Sequence, residues 1–323
     1  AAAVTASNLG EHELVTRFCD RVRNGLDIVV DPRVRADMLS SLSSETLWSD
    51  PQAGARLNKA AIELDAAPPW RAVGYLANRV DGYWVTGRLD DGREILRRLD
   101  DASDEPSWLP SLAVTIRAGV AVAEGRWEDV IRLTDAADAE PTLDVQSATT
   151  LAVRRAEALA ALGRCAEAQD VLDAAGQGNP DVDRSTADLD RVAATIVHAS
   201  ADIRCDSPGS AARRLTTLAE QLARGRQRPA IGMQVAALLA VAATDLGHFE
   251  DAAVLLGHAL AEQRRLDIEL KRSDRPLAER AIDRCRRQLG SARFEEFASL
   301  GARTAWPDLP SVEATGRAPD TAV

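Results

Sequence analysis

The chain has 323 residues and a net charge of −11, from 50 acidic and 39 basic side chains. That field repels duplex nucleic acid and anionic membrane surfaces, so the chain is excluded as a non-specific binder of either. Aromatic residues are 4% and apolar residues 46%, so Ala, Leu and Val must do most of the packing, a mix suited to helices pressed close together.

Along the chain a small residue recurs at the end of one apolar helix. Five positions on, inside the next helix, lies a small or short apolar residue. The pairs are Gly10/Val15, Asp50/Ala55, Gly87/Gly92, Gly125/Val130, Gly163/Ala168, Ser207/Ala212 and Gly247/Ala252, at spacings of 40, 37, 38, 38, 44 and 40 residues. A period in this range marks a helical-hairpin repeat. Residues 70–86 carry Val73, Leu76, Val80 and Tyr83/Trp84 on one stripe, which predicts a helix ended by Gly87. Asp90 and Asp91 open its partner, which shows Ile95, Leu96 and Leu99 and closes at Pro106. Helices are predicted over 109–124 and 127–137 around Gly125, and over 144–162 and 166–175 around Gly163. The stretch 176–183, with Gly178 and Pro180, is the expected flexion point. A sixth hairpin spans 186–222, with Pro208 where a first helical turn accepts proline. Residues 231–246 and 249–263 flank Gly247, and a helix over 275–289 lacks a full partner. A short amphipathic piece at 292–300 is predicted to cap the array, as terminal repeats must.

The expected fold is therefore all-α. It is a right-handed α-solenoid of about seven antiparallel helical hairpins over 1–305, with a C-terminal capping helix. From Trp306 the chain carries three prolines and little apolar content, which reads as a flexible tail or linker over 306–323.

Cys19, Cys165, Cys205 and Cys285 form no CxxC pair and lie far apart. A disulfide framework is not indicated, so a reducing cytoplasm is the simpler reading. No run of 18 apolar residues predicts a membrane span. Residues 1–4 lack the features of a signal peptide and begin without Met, as a segment of a longer chain would.

Motifs that carry chemistry are absent. There is no phosphate-cradling Gly-x4-Gly-Lys-[Ser/Thr], no HExxH, no GxSxG and no GxGxxG after a strand. His198, Asp202 and Cys205 share one helix face at i, i+4 and i+7. No second cluster completes a metal shell there, so the expectation is no metal, no cofactor and no catalytic residue. The chain has six Trp, two Tyr and four Phe. Half of these lie between Trp48 and Trp108, concentrated in the third hairpin. Trp70, Tyr75, Tyr83 and Trp84, with Arg71, Asn78 and Arg79 as polar partners, form the expected ligand- or partner-binding patch. Inter-repeat packing is the competing use of the same rings. Paired arginines such as Arg97/Arg98 and Arg286/Arg287 read as solvated faces, and Arg224, Arg226 and Arg228 as a basic turn that could take an acidic group.

Gly163, Ala168, Leu172 and Ala175, and again Gly247, Ala252, Leu256 and Ala259, resemble the second helix of a tetratricopeptide repeat. Gly87, Gly92 and Leu96 fit in part, with Tyr83 in the aromatic place four before the turn. The period exceeds the usual 34, and the Trp and Leu-Gly places of the first helix hold Ala, Val or Arg. Longer degenerate repeats of this kind resemble the helical array of large ATP-binding transcriptional regulators of the LuxR type, found in actinobacteria and similar to the maltose regulator. The segment from Leu289 to Glu295, followed by Gly301, is similar to the stretch before the DNA-binding domain there. The resemblance implies a non-catalytic regulatory module. It would bind a protein, a peptide or a small effector in its concave groove, beside an NTPase, kinase or DNA-binding domain. It implies no direct contact with nucleic acid or membrane. A free-standing scaffold and, further off, an enzyme with a groove site are the alternatives.

Overall fold

The computed structural model describes residues 12–64, 69–101, 109–138, 145–177, 188–224 and 228–312. Within them lie fifteen α-helices and no strand. In chain order these are α1 (His12–Gly25), α2 (Pro32–Thr46), α3 (Pro51–Glu63), α4 (Pro69–Thr86), α5 (Gly92–Asp101), α6 (Leu109–Glu124), α7 (Trp127–Asp138), α8 (Val145–Ala161), α9 (Cys165–Gln177), α10 (Asp188–Arg204), α11 (Pro208–Arg224), α12 (Pro229–Asp245), α13 (Phe249–Leu266), α14 (Arg275–Leu289) and α15 (Ser291–Gly301). None is long and apolar enough to cross a membrane.

Local chemistry sets the helix ends. Asp31, Asp50 and Asp91 accept hydrogen bonds from the N–H groups of Arg33, Ala53 and Glu94 at 2.8, 2.9 and 3.1 Å, filling orphan donors of a first turn. Pro32, Pro51 and Pro229 stand where a missing N–H costs nothing. Gly125, Gly163 and Gly247 end their helices at φ of +71°, +74° and +85°. The residue after each donates back five places, as Arg126 N–H does to Ala121 O at 2.9 Å. In the next hairpin the left-handed residue is Asp206, at φ 55°, one place before the Ser207 singled out by the spacing. Ser207 N–H then donates to Asp202 O at 2.9 Å. Asp tolerates this conformation at some cost, so the turn persists without glycine.

Consecutive helices pair, and the first helix of one pair packs on the first helix of the next. This links α2, α4, α6, α8, α10, α12 and α14. The chain also closes on itself. Every residue of α12 from Ala230 to Thr244 is buried. A helix apolar on all sides needs cover on all sides. Neighbours in the stack cover part of α12, and the N-terminal pairs cover more, through Leu47, Trp48, Trp84 and Val85. Its one long polar side chain, Gln234, donates to Trp84 O.

At the far end α13 and α15 touch backbone to backbone. A methyl at Gly257 would lie 2.0 Å from Ala298 O, and one at Gly301 only 1.8 Å from Val254 O. Residues beyond α15 extend this packing. Trp306 Nε1 donates to Ala219 O at 3.3 Å, and Val312 is buried. The segment expected to run free from 306 is thus packed as far as 312, and 313–323 lie outside the described residues. So does the expected flexion point from 178 onward.

Cys165 and Cys205 form a disulfide with their Cα atoms 5.6 Å apart, joining the start of α9 to the turn after α10. This corrects the reading of four unpaired cysteines and removes the argument for a reducing compartment. Closing a loop of this length restricts the unfolded chain. Reduction is expected to lower stability by about 2–4 kcal/mol, measured as denaturant midpoints with and without a dithiol.

Candidate functional site

The loop between α13 and α14, residues 267–274, reaches across to the N-terminal helices. Asp267, in the left-handed conformation at φ 51°, turns the chain off α13. Its carbonyl accepts from Gln52 Nε2 at 2.7 Å, and its carboxylate pairs with Arg88 at 3.1 Å. Glu269 N–H donates to Thr86 O at 2.7 Å, and Ile268 and Leu270 are buried. Gly87 lets the loop come this close: at φ +66°, its missing Cβ would sit 2.2 Å from Glu269 O.

Deeper in, Lys271 is 1% and Glu157 of α8 4% exposed. Lys271 Nζ lies 3.0 Å from Glu157 Oε1, off the line of a good hydrogen bond, and 3.6 Å from the centre of the Trp84 ring. Ser273 Oγ donates to the same Oε1 at 2.7 Å. Arg272 N–H donates to Tyr83 Oη at 3.2 Å. Burial first, then the Glu157 carboxylate, raises the Tyr83 phenol above its ordinary range. Asp274 accepts from Ser200 Oγ at 2.6 Å and pairs with Arg204 of α10 at 3.4 Å. Eight residues thus tie α3, α4, α8 and α10 to the C-terminal helices.

Beside this loop opens a groove of about 820 Å³. Its walls come from separate hairpins: Gly125 and Trp127, then Ala160, Ala161 and Gly163, then Ile203, Arg204 and Asp206, and Val241 with Asp245. The floor is Arg272, Ser273 and one face of α14. Leu277, Arg280, Ala281 and Arg284 lie there at helical spacing. Arg284 pairs with Asp245, and Arg204 is held by Asp274 and the Ser273 carbonyl. Arg272 and Arg280 are exposed, and among the described residues neither guanidinium has an ion-pair partner. The disulfide pins two of the groove's turns, since Cys165 follows Gly163 by two places and Cys205 precedes Asp206.

The third-hairpin residues do not gather around one opening. Tyr75 Oη donates to Asp37 at 2.6 Å and Asn78 donates to Ser40 Oγ at 2.8 Å, both toward α2. Arg79 is half-buried on α4. Tyr83 and Trp84 face the 267–274 loop, Tyr83 only 2% exposed. The side chains of Trp70 and Arg71 lie outside the described residues, as do Arg226 and the Arg224 side chain, while Arg228 is buried. Sequence reasoning missed Trp127, Lys271, Arg272 and Arg280. The spacing of Arg280 and Arg284 against Leu277 and Ala281 was the available signal.

The face of His198, Asp202 and Cys205 is used otherwise. His198 Nε2 meets Gln169 Nε2 at 2.6 Å, Asp202 pairs with Arg214 at 2.9 Å, and Cys205 is in the disulfide. Among the described residues no group of three His, Cys, Asp or Glu could hold a metal. Burial, the largest cause, holds both His198 and His258 below the ordinary imidazole range. Unfolded imidazoles take up protons near pH 6.5, and these folded ones only at lower pH. In that window the unfolded state binds more protons, so stability falls as pH drops below about 6.5. Urea midpoints across this range should show the fall, and His198→Gln with His258→Gln should flatten it. Comparison with protein-family models, with curated proteins and with solved structures returns no match.

Proposed function

We propose that the chain is a non-catalytic recognition array: a right-handed α-solenoid of tetratricopeptide-like hairpins that serves a signalling or transcription regulator of the LuxR type. An effector or partner occupies the groove over α14, and its binding is passed to a neighbouring domain. The observation that carries this reading is the make-up of the groove walls. They come from four successive hairpin turns and from the loop that holds the C-terminal helices to the N-terminal ones. An occupant touching all of them binds the closed arrangement better than an opened one, and so shifts the balance between the two. The groove's volume suits a small ligand.

The test is a plug. Ala161 lines the groove and is half-buried, whereas Ala166 is exposed and lies outside it. Ligands selected from a metabolite panel and a displayed random-peptide library should lose binding to Ala161→Trp and keep it to Ala166→Trp. Selected ligands that bind both variants alike would place recognition elsewhere and overturn the reading.

A further inference from the structure

We infer that the groove over α14 takes a small phosphate ester carrying a flat ring, held by Arg272 and Arg280 against Trp127. The inference rests on the recognition reading above and names the chemistry of the occupant.

Charge comes first. The chain carries −11 overall, yet this groove is lined by four arginines against two aspartates, Asp206 and Asp245. Asp245 is already paired with Arg284, and Arg204 with Asp274. Arg272 and Arg280 are left as guanidiniums without an ion-pair partner among the described residues. They project from two elements, the closing loop and α14, into one concavity. A concave site focuses such a field on an anion despite the acidic surface around it.

Geometry then favours phosphate over carboxylate. A guanidinium presents a rigid fork of N–H donors. One fork saturates the two oxygens of a carboxylate, whereas a phosphate monoester offers three terminal oxygens arranged tetrahedrally and can accept from two forks. Trp127 supplies the second element of recognition. Its ring and the Arg272 side chain both flank Gly125: a Cβ built there would lie 3.8 Å from Trp127 Cζ2 and 3.6 Å from Arg272 Nε. A ring bonded to the phosphate would therefore meet the indole while its phosphate meets Arg272. Asp206 also lines the groove. Its carboxylate repels a second anion and accepts from hydroxyl groups, which favours one phosphate on a hydroxylated or neutral body. The volume accommodates such a molecule, and a peptide would need an extended cleft instead.

The probe is phenyl phosphate, titrated calorimetrically into the full chain, with phenylacetate and a phosphoserine pentapeptide in parallel. Phenyl phosphate should bind, and bind more tightly than either comparator. Arg272→Ala and Arg280→Ala should each weaken it by about tenfold or more, whereas Arg213→Ala, outside the groove, should leave it unchanged. Trp127→Ala should weaken phenyl phosphate and spare inorganic phosphate. Each arginine is exposed, so the variants keep the fold, checked by helical circular dichroism. Equal binding of phenylacetate, tighter binding of the phosphopeptide, absence of phenyl phosphate binding, or indifference to both arginine substitutions overturns the inference. A ligand blocked by Ala161→Trp but indifferent to Arg272 and Arg280 would sink the phosphate reading while leaving the recognition array standing.

Discussion

Lys271→Met is expected to destabilise the chain by about 3–5 kcal/mol, read as a fall in the urea midpoint with an unchanged slope. The reason is what it leaves behind. Glu157 would remain buried with one hydroxyl partner, Ser273, and no compensating cation. An uncompensated interior charge costs far more than the pair contributes when intact. Trp84, stacked under Nζ, adds an attraction of about 2 kcal/mol where water is excluded. The double substitution Lys271→Met with Glu157→Leu removes both charges and should recover most of the loss. A single variant as stable as the parent would mean that the pair is solvated. The chain has only two lysines, and the other, Lys59, is exposed. Any change in lysine reactivity can therefore be assigned to one of two sites.

Gly87→Ala carries the second large effect. At φ +66° an alanine is strained by about 1–2 kcal/mol. Gly163 has φ +74° and nothing within 4 Å of a Cβ, so Gly163→Ala should show that conformational cost alone. At Gly87 the added methyl also meets Glu269 O at 2.2 Å and Leu270 O at 2.7 Å. Those are backbone atoms and cannot swing aside, so the loop must lift, at a further ~1–3 kcal/mol. The expected result is that Gly87→Ala loses about twice what Gly163→Ala loses in thermal or urea melts. Equal losses would show that the loop does not press on this turn.

These contacts mark the boundary of what the amino-acid sequence reveals. The glycine turns at 125, 163 and 247 are legible because φ near +70° has a favoured residue. Asp206 occupies the same conformation and left the register one place off. The disulfide was legible in principle. Cys165 and Cys205 are 40 residues apart, close to one repeat, and a stack brings equivalent places of adjacent hairpins together. Their distance in sequence conceals that closeness in space. The all-round apolar run from Ala230 to Thr244 announces a fully covered helix, though not which helices cover it. The closing loop gives no local signal. Lys271 is 114 residues from Glu157 and 187 from Trp84, and no period connects them. The aromatic third hairpin was legible as a concentration of rings. Part of its use, against α2, is stacking on the preceding hairpin, and part, beneath Lys271, depends on a contact formed only once the chain has curled.

The closure of the 267–274 loop on the N-terminal helices shapes the groove and underlies both large effects. Hydrogen exchange of the Glu269 amide tests it most directly. In the folded chain that N–H donates to Thr86 O at 2.7 Å, between flanking buried Ile268 and Leu270. It should exchange as slowly as the amides of buried α12, and Gly87→Ala should accelerate it while leaving α12 protected. Exchange of Glu269 at the rate of an open loop, in the unmodified chain, would contradict the closed arrangement.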